Sequence, residues 1–133
     1  MPNILIIEDE PSIAIPLRDM LAHDNGTPVI AGTLEDAKNE LGKPYDAILL
    51  DLNLPYNDGT SKGMATMEIV STLADPQSIV VFTGYEEQAE DVRTKWPDTP
   101  VIMKPYAVEA VREVLYIVAT EVMATGILHE GGS

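Results

Sequence analysis

Short apolar runs alternate along the chain with longer stretches whose apolar positions recur at helical spacing. The first run, residues 3–7, contains Ile4, Leu5, Ile6 and Ile7. It is too short for a helix and largely β-branched, so it reads as a buried strand. From Ser12 to about His23, Ile13, Leu17, Met20 and Leu21 keep helical spacing. Ser12 is a candidate N-cap and Asn25-Gly26 a stop, while Pro16 is expected to kink or delay this helix. Residues 28–31 read as a short, weak strand. Thr33 then caps a helix to about Leu41, ended by Gly42-Lys43-Pro44. Residues 46–50 return to a continuous apolar run. The next stretch, residues 52–63, is rich in turn formers and precedes a helix to about Leu73. A strand at 78–82, a polar helix from Glu86 to about Lys95 and a short strand at 100–103 follow. A long apolar helix from Tyr106 to about Ala124 comes last. Residues 126–133 end in Gly131-Gly132-Ser133 and read as a disordered tail or expression remnant, leaving one domain over residues 1–125.

This is five strand–helix units in order. Strands that are apolar throughout need both faces covered, which calls for a parallel sheet with helices on each side. Right-handed crossovers make it a doubly wound, three-layer α/β domain. Such sheets bind ligands beyond the carboxyl ends of their strands. Those ends carry Glu8-Asp9-Glu10, then Asp51 with Leu52-Asn53, then Thr83-Gly84, then Lys104-Pro105.

Composition narrows the chemistry. With 133 residues the chain is long enough for a sizeable core. It has no cysteine, which excludes disulfides, thiolate metal sites and thiol catalysis. Eight Lys+Arg against 22 Asp+Glu give a net charge of -14. That balance argues against a nucleic-acid footprint and against an anionic-membrane patch. No run is long enough for a signal-peptide core or a membrane span, so a cytoplasmic location is expected. His23 and His129 have no metal-ligand spacing to each other.

Carboxylates crowded at one sheet edge raise each other's proton affinity. A hard divalent cation is the usual reason to tolerate them, and Mg²⁺ takes one or two carboxylates together with water and phosphate oxygens. Asp9 and Asp51 are the expected direct ligands, with Glu8 acting through water. With Lys104, this set suits an incoming phosphoryl group whose oxygens must be neutralised. A carboxylate is itself able to form an aspartyl-phosphate.

The constellation resembles the receiver domain of two-component response regulators. The matching residues are Glu8-Asp9, the string Leu49-Leu50-Asp51-Leu52-Asn53-Leu54-Pro55 with Asp58-Gly59, then Thr83-Gly84 and Lys104-Pro105. Taken singly, Glu8-Asp9-Glu10 is a solvated acidic turn, Thr83 a strand-end hydroxyl and Lys104 a surface lysine; together, in order, at the strand ends, they are specific. The resemblance implies a flavodoxin-like sheet in the order 2-1-3-4-5. It implies Asp51 as phosphoacceptor, and Mg²⁺ held by Asp9, Asp51 and the Asn53 carbonyl with Glu8 assisting. Lys104 would pair with a phosphoryl oxygen, Thr83 would hydrogen-bond the phosphoryl group, and Pro105 would follow a cis peptide. The donor would be a histidine kinase or histidine phosphotransfer protein, and a downstream protein target is expected. The implied role is signalling by phosphoryl acceptance rather than turnover as an enzyme. No output domain is expected within this sequence after the last helix; a shuttle or sink is the alternative, and a receiver excised from a larger protein would look the same.

Two departures stand out. The aromatic residue usual three positions before the lysine is Val101 here, and Thr83-Gly84 continues into Tyr85. This is similar to the "FAT GUY" receivers, named for Pro-Phe-x-Phe-Ala-Thr-Gly-Tyr. Ser78, Ile79 and Val81 replace the first Pro and both Phe residues, and Phe82 replaces the Ala. Tyr85 is the candidate switch reporter. The second departure is a long turn from Tyr56 to Gly63, either a gate beside the site or a tolerated insertion. In the last helix Val108, Val111, Leu115, Val118 and Val122 form one face, and Val114, Ile117 and Met123 lie partly off it. That pattern allows either a broad buried stripe or a homodimer surface. Other classes fit less well. A phosphohydrolase of similar layering commonly has a second Asp two residues after its nucleophile, where this chain has Asn53. A flavodoxin-like cofactor module needs a phosphate-cradling loop after the first strand, where this chain has three acids. A docking-only receiver would have no need of an intact site.

Overall fold

The computed structural model describes residues 2–54 and 64–131, with side chains as far as Thr125. The turn from Tyr56 to Gly63, with Asp58-Gly59, lies outside the described residues. Five strands, β1 (Asn3–Ile7), β2 (Thr27–Ala31), β3 (Ala47–Asp51), β4 (Ile79–Thr83) and β5 (Val101–Met103), form one parallel sheet in the order β2-β1-β3-β4-β5. Helices α1 (Pro11–His23), α2 (Leu34–Glu40), α3 (Met64–Leu73), α4 (Glu86–Lys95) and α5 (Val108–Gly131) connect or follow them.

Alternation along the strands divides the core into two layers. Leu5, Ile7, Ile48, Leu50, Ile79 and Val81 face α2, α3 and α4, where Leu34, Ala37, Met67, Val70 and Val92 meet them. Ile4, Ile6, Ala47, Leu49, Val80, Phe82 and Ile102 face α1 and α5, against Leu17, Leu21, Val111, Leu115 and Val118. Both faces of the strands are therefore covered, which is why the strands read as unbroken apolar runs. No described helix is long and apolar enough to cross a membrane.

Local chemistry sets several boundaries, some of them differently from the sequence expectation. Ser12 does not cap α1. Pro11 occupies the first turn and Glu10 is the N-cap, without a side-chain bond. Proline suits that place because its φ is preset and its missing N–H would have had no partner there. The helix also continues through Pro16. Pro16 and Ser12 are both exposed, so the Ser12 carbonyl that loses its amide partner lies on the side facing water. Asn25 adopts φ 67°, and a Cβ on Gly26 would come within 3.0 Å of the Leu21 carbonyl oxygen, so this pair does end α1. Thr33 caps α2 as expected, accepting the Asp36 N–H at 3.1 Å. Residues 76–78 form a 3₁₀ turn capped by Asp75, so β4 starts at Ile79 rather than Ser78. Asp46 lies before β3, and its carboxylate accepts the Asn3 amide at 2.7 Å.

The last helix runs on through Gly126 to Gly131, so residue 125 is not a break in secondary structure. A single helical glycine costs only about 1 kcal/mol relative to alanine, too little to end a long helix. Val114 and Val122 pack against the core beside Val111 and Leu115, as a broad buried stripe requires. Among the off-face residues Ile117 is open to solvent, 59% exposed.

Candidate functional site

The parallel strands all end on one edge, and their last residues build the site. Glu8 follows β1 directly, and its amide bonds the Ala31 carbonyl at 3.1 Å, which extends the β1–β2 ladder by one step. Asp51 is the last residue of β3 and pairs across the sheet with Phe82. Thr83 ends β4, and its carbonyl accepts the Lys104 amide at 2.8 Å just past β5. Backbone pairing therefore fixes the positions of Glu8, Asp51, Thr83 and Lys104. The Lys104–Pro105 peptide is cis.

Glu8 and Asp51 are each only 1% exposed, while Asp9 is open to solvent. One carboxylate oxygen from each of Glu8, Asp9 and Asp51 lies within 4.8 Å of the others. Lys104 Nζ donates to Asp51 Oδ1 at 2.9 Å and lies 3.8 Å from Glu8 Oε1. Its ammonium also sits 5.2 Å from the centre of the Phe82 ring. That contact is an additional hold on a charge placed over an aromatic face. The Asn53 amide donates to Asp51 Oδ1 at 2.9 Å, so the turn after β3 fixes the carboxylate's orientation.

The carboxyls do not ionise alike. Burial, then the nearby Asp51 carboxylate, pushes Glu8 up to about 9. Burial also raises Asp9, helped by Asp51. Burial alone would raise Asp51 as well, but the neighbouring Glu8 carboxyl, the Asn53 amide and the Lys104 ammonium outweigh it and hold Asp51 below its ordinary value. Lys104 is lifted in spite of its own burial, because Asp51 and Glu8 favour its charged form. At neutral pH the pocket thus holds an ionised Asp51, a protonated Glu8 and a charged lysine. A protonated Glu8 bonds Asp51, but as a carboxylate neither of its buried oxygens has a donor among the described residues. Two orphaned oxygens facing two further carboxylates fit a hard divalent cation, which would favour the ionised form of Glu8.

Thr83 is fully buried. Its hydroxyl donates to Gln88 Oε1 at 2.6 Å and accepts the Tyr85 amide at 3.2 Å. The structure therefore brings Glu8, Asp9, Asp51, Asn53 and Lys104 into one cluster, with Thr83 on the adjoining strand end and bonded away toward α4. Tyr85, the candidate reporter, points its ring to solvent and is 61% exposed. Gln88 and Phe82 are the residues that sequence reading missed. Gln88 had no signal beyond its place in the first turn of a helix starting at Glu86. Phe82 did have one, as the residue that stands where the motif has alanine.

No protein-family model matches the chain. Response regulator ArlR of Staphylococcus epidermidis is 30% identical over 115 residues, covering 82% of this chain and 48% of the relative. Sensory transduction protein RegX3 of Mycolicibacterium smegmatis is 31% identical over 101 residues, covering 71% of this chain and 44% of the relative. The chain thus spans about half the length of these curated relatives. A CheY-like response regulator receiver domain from Methanospirillum hungatei superposes with a TM-score of 0.77 at 22% identity, over 94% of this chain and 98% of that one, and so shares the fold. The relatives place the chain among the response regulators, and its strand order is that of the CheY-like receiver fold.

Proposed function

We propose that Asp51 is the phosphoacceptor and that the donor is a phosphohistidine on a histidine kinase or phosphotransfer protein. The observation that carries this is the state of Asp51: buried at a strand end, held ionised, and bonded to an ammonium at 2.9 Å. A carboxylate oxygen of Asp51 attacks phosphorus, the P–N bond breaks, and the imidazole keeps the electron pair. Lys104 is placed to follow the negative charge from the carboxylate onto a phosphoryl oxygen. The Asn53 N–H keeps the nucleophile oriented through that change. Glu8, Asp9, Asp51 and the Asn53 carbonyl are the residues that would hold Mg²⁺. When bound, that ion neutralises charge on the transferring oxygens. Thr83 then turns its hydroxyl to the phosphoryl group, which alters the loop of Gly84 and Tyr85 and the start of α4.

The FAT GUY likeness is part of this reading, with Tyr85 moving in place of a β5 aromatic. Its support is the solvent-facing Tyr85 ring beside a β5 that carries Val101 instead. The test is intact-mass analysis after incubation with Mg²⁺ and a small acyl phosphate, with Asp51→Asn alongside. One hydroxylamine-labile phosphoryl adduct is expected in the wild type, and none in the variant or without Mg²⁺. Phosphate release that persists in Asp51→Asn would overturn the assignment.

A further inference from the structure

A threonine hydroxyl has one proton to give. In this chain that proton is already committed, because Thr83 Oγ1 lies 2.6 Å from Gln88 Oε1, a short and strong separation for an O–H···O bond. The same oxygen accepts the Tyr85 amide at 3.2 Å, so both roles of the hydroxyl are filled on the α4 side. Gln88 occupies the third position of α4, whose N-cap, Tyr85, offers no side-chain bond. Gln88 thus ties the first helical turn back to the end of β4. A hydroxyl in this state is unable to donate to a group on Asp51 without first leaving Gln88.

We infer that Gln88 is a positioning residue that competes with the phosphoryl group for the Thr83 proton, and so sets how readily the β4–α4 corner responds. The inference rests on the reading of Asp51 as phosphoacceptor. Two consequences follow from the geometry. The responding state is reached only by breaking the Thr83–Gln88 bond, so the strength of that bond biases the equilibrium against it. Release also removes one tie on the first turn of α4, whose exposed Glu86 and Glu87 would then move together with Tyr85. Gln88 itself is half-buried and outside the acidic cluster, so replacing it leaves Glu8, Asp9, Asp51 and Lys104 untouched.

A merely structural tether would behave differently. Its loss would loosen α4 whether or not Thr83 carried a hydroxyl. A double-mutant cycle separates the two roles. Beryllium fluoride, a phosphoryl mimic, is titrated into the protein at fixed, saturating Mg²⁺, and the Gly84 and Tyr85 amide signals are followed by NMR. The proteins are the wild type, Gln88→Ala and Gln88→Glu, each also combined with Thr83→Val, with Asp51→Asn as control. Gln88→Ala is expected to bind about fivefold more tightly, the worth of one net hydrogen bond. Gln88→Glu is expected to bind more weakly by at least as much, because a carboxylate accepts the same proton more strongly. With valine at position 83, Gln88→Ala is expected to match its own Gln88 parent. Unchanged or weaker binding by Gln88→Ala, or a gain that persists beside Thr83→Val, overturns the inference. If wild type and Asp51→Asn respond alike, the reading of Asp51 fails first, and the role of Gln88 falls with it.

Discussion

At Glu8 a carboxyl is buried with no donor on either oxygen among the described residues; at Thr83, two strands along, a hydroxyl is buried with both its roles filled. The same sheet edge thus holds one corner waiting for charge and one corner already satisfied. The first is costly as it stands, since an unpartnered buried polar group costs about 1–3 kcal/mol, and more when charged. A bound divalent cation would lower that cost. The second is stable as it stands and responds only if an existing bond is given up. A corner that captures and a corner that resists are what a two-state signalling element needs, because the incoming group has to outcompete something for its arrival to be registered.

The comparison breaks most completely at Asp51. Asp51→Asn is expected to bring phosphoryl incorporation from a small acyl phosphate down to background, as read by intact mass. Lys104→Met comes next. It leaves the nucleophile in place but removes the one ammonium within hydrogen-bond reach of it among the described residues. Loss of one preorganised charged donor is expected to slow the transfer by about 10²–10³-fold, measured as the initial rate of incorporation at saturating Mg²⁺.

Glu8→Gln sharpens the comparison through pH. In the folded, metal-free chain Glu8 holds its proton up to about 9, against an unfolded value of 4.5. Between those values the folded state binds more protons than the unfolded state. This contribution is therefore fully present below the unfolded value and is lost as pH rises through the folded one. The slope approaches about 1.4 kcal/mol per pH unit for one proton. The amide introduced by Glu8→Gln copies the protonated form and has no such slope. Urea denaturation in the presence of a chelator, from pH 5 to 9, is expected to show the variant gaining stability relative to wild type as pH rises. Added Mg²⁺ is expected to reverse the order. A wild type and variant that run parallel across that range would contradict the assignment.

Thr83→Val has the smallest expected effect. It removes the Gln88 bond and the acceptor of the Tyr85 amide, at a cost of about 1 kcal/mol in denaturation midpoint analysis, yet Asp51 is still phosphorylated. If Thr83→Val abolished the adduct, the two corners would be one device.

The waiting corner was legible in the sequence and the satisfied corner only in part. Ile4–Ile7 and Ile48–Leu50 run apolar until Glu8 and Asp51 interrupt them, and in a parallel sheet such interruptions fall on one edge. Backbone register then does the rest, so little had to be inferred about side chains. The Thr83 corner depends on where α4 begins and on how a glutamine in its first turn folds back, which no periodicity encodes. The Ser12 cap failed for a related reason: Pro11, one residue earlier, was better suited to open the helix and shifted the cap to Glu10. Tyr85 was found as a residue, but its outward direction is a property of the loop and not of the motif.

The most direct test of the central claim is to trap the acyl phosphate and read its position. The protein is incubated with Mg²⁺ and a small acyl phosphate, reduced with borohydride, digested and sequenced by tandem mass spectrometry. An aspartyl-phosphate is reduced to homoserine, and the account predicts homoserine at position 51 alone. Reduction at position 9, or continuous phosphate release with no reduced residue at 51, would contradict it.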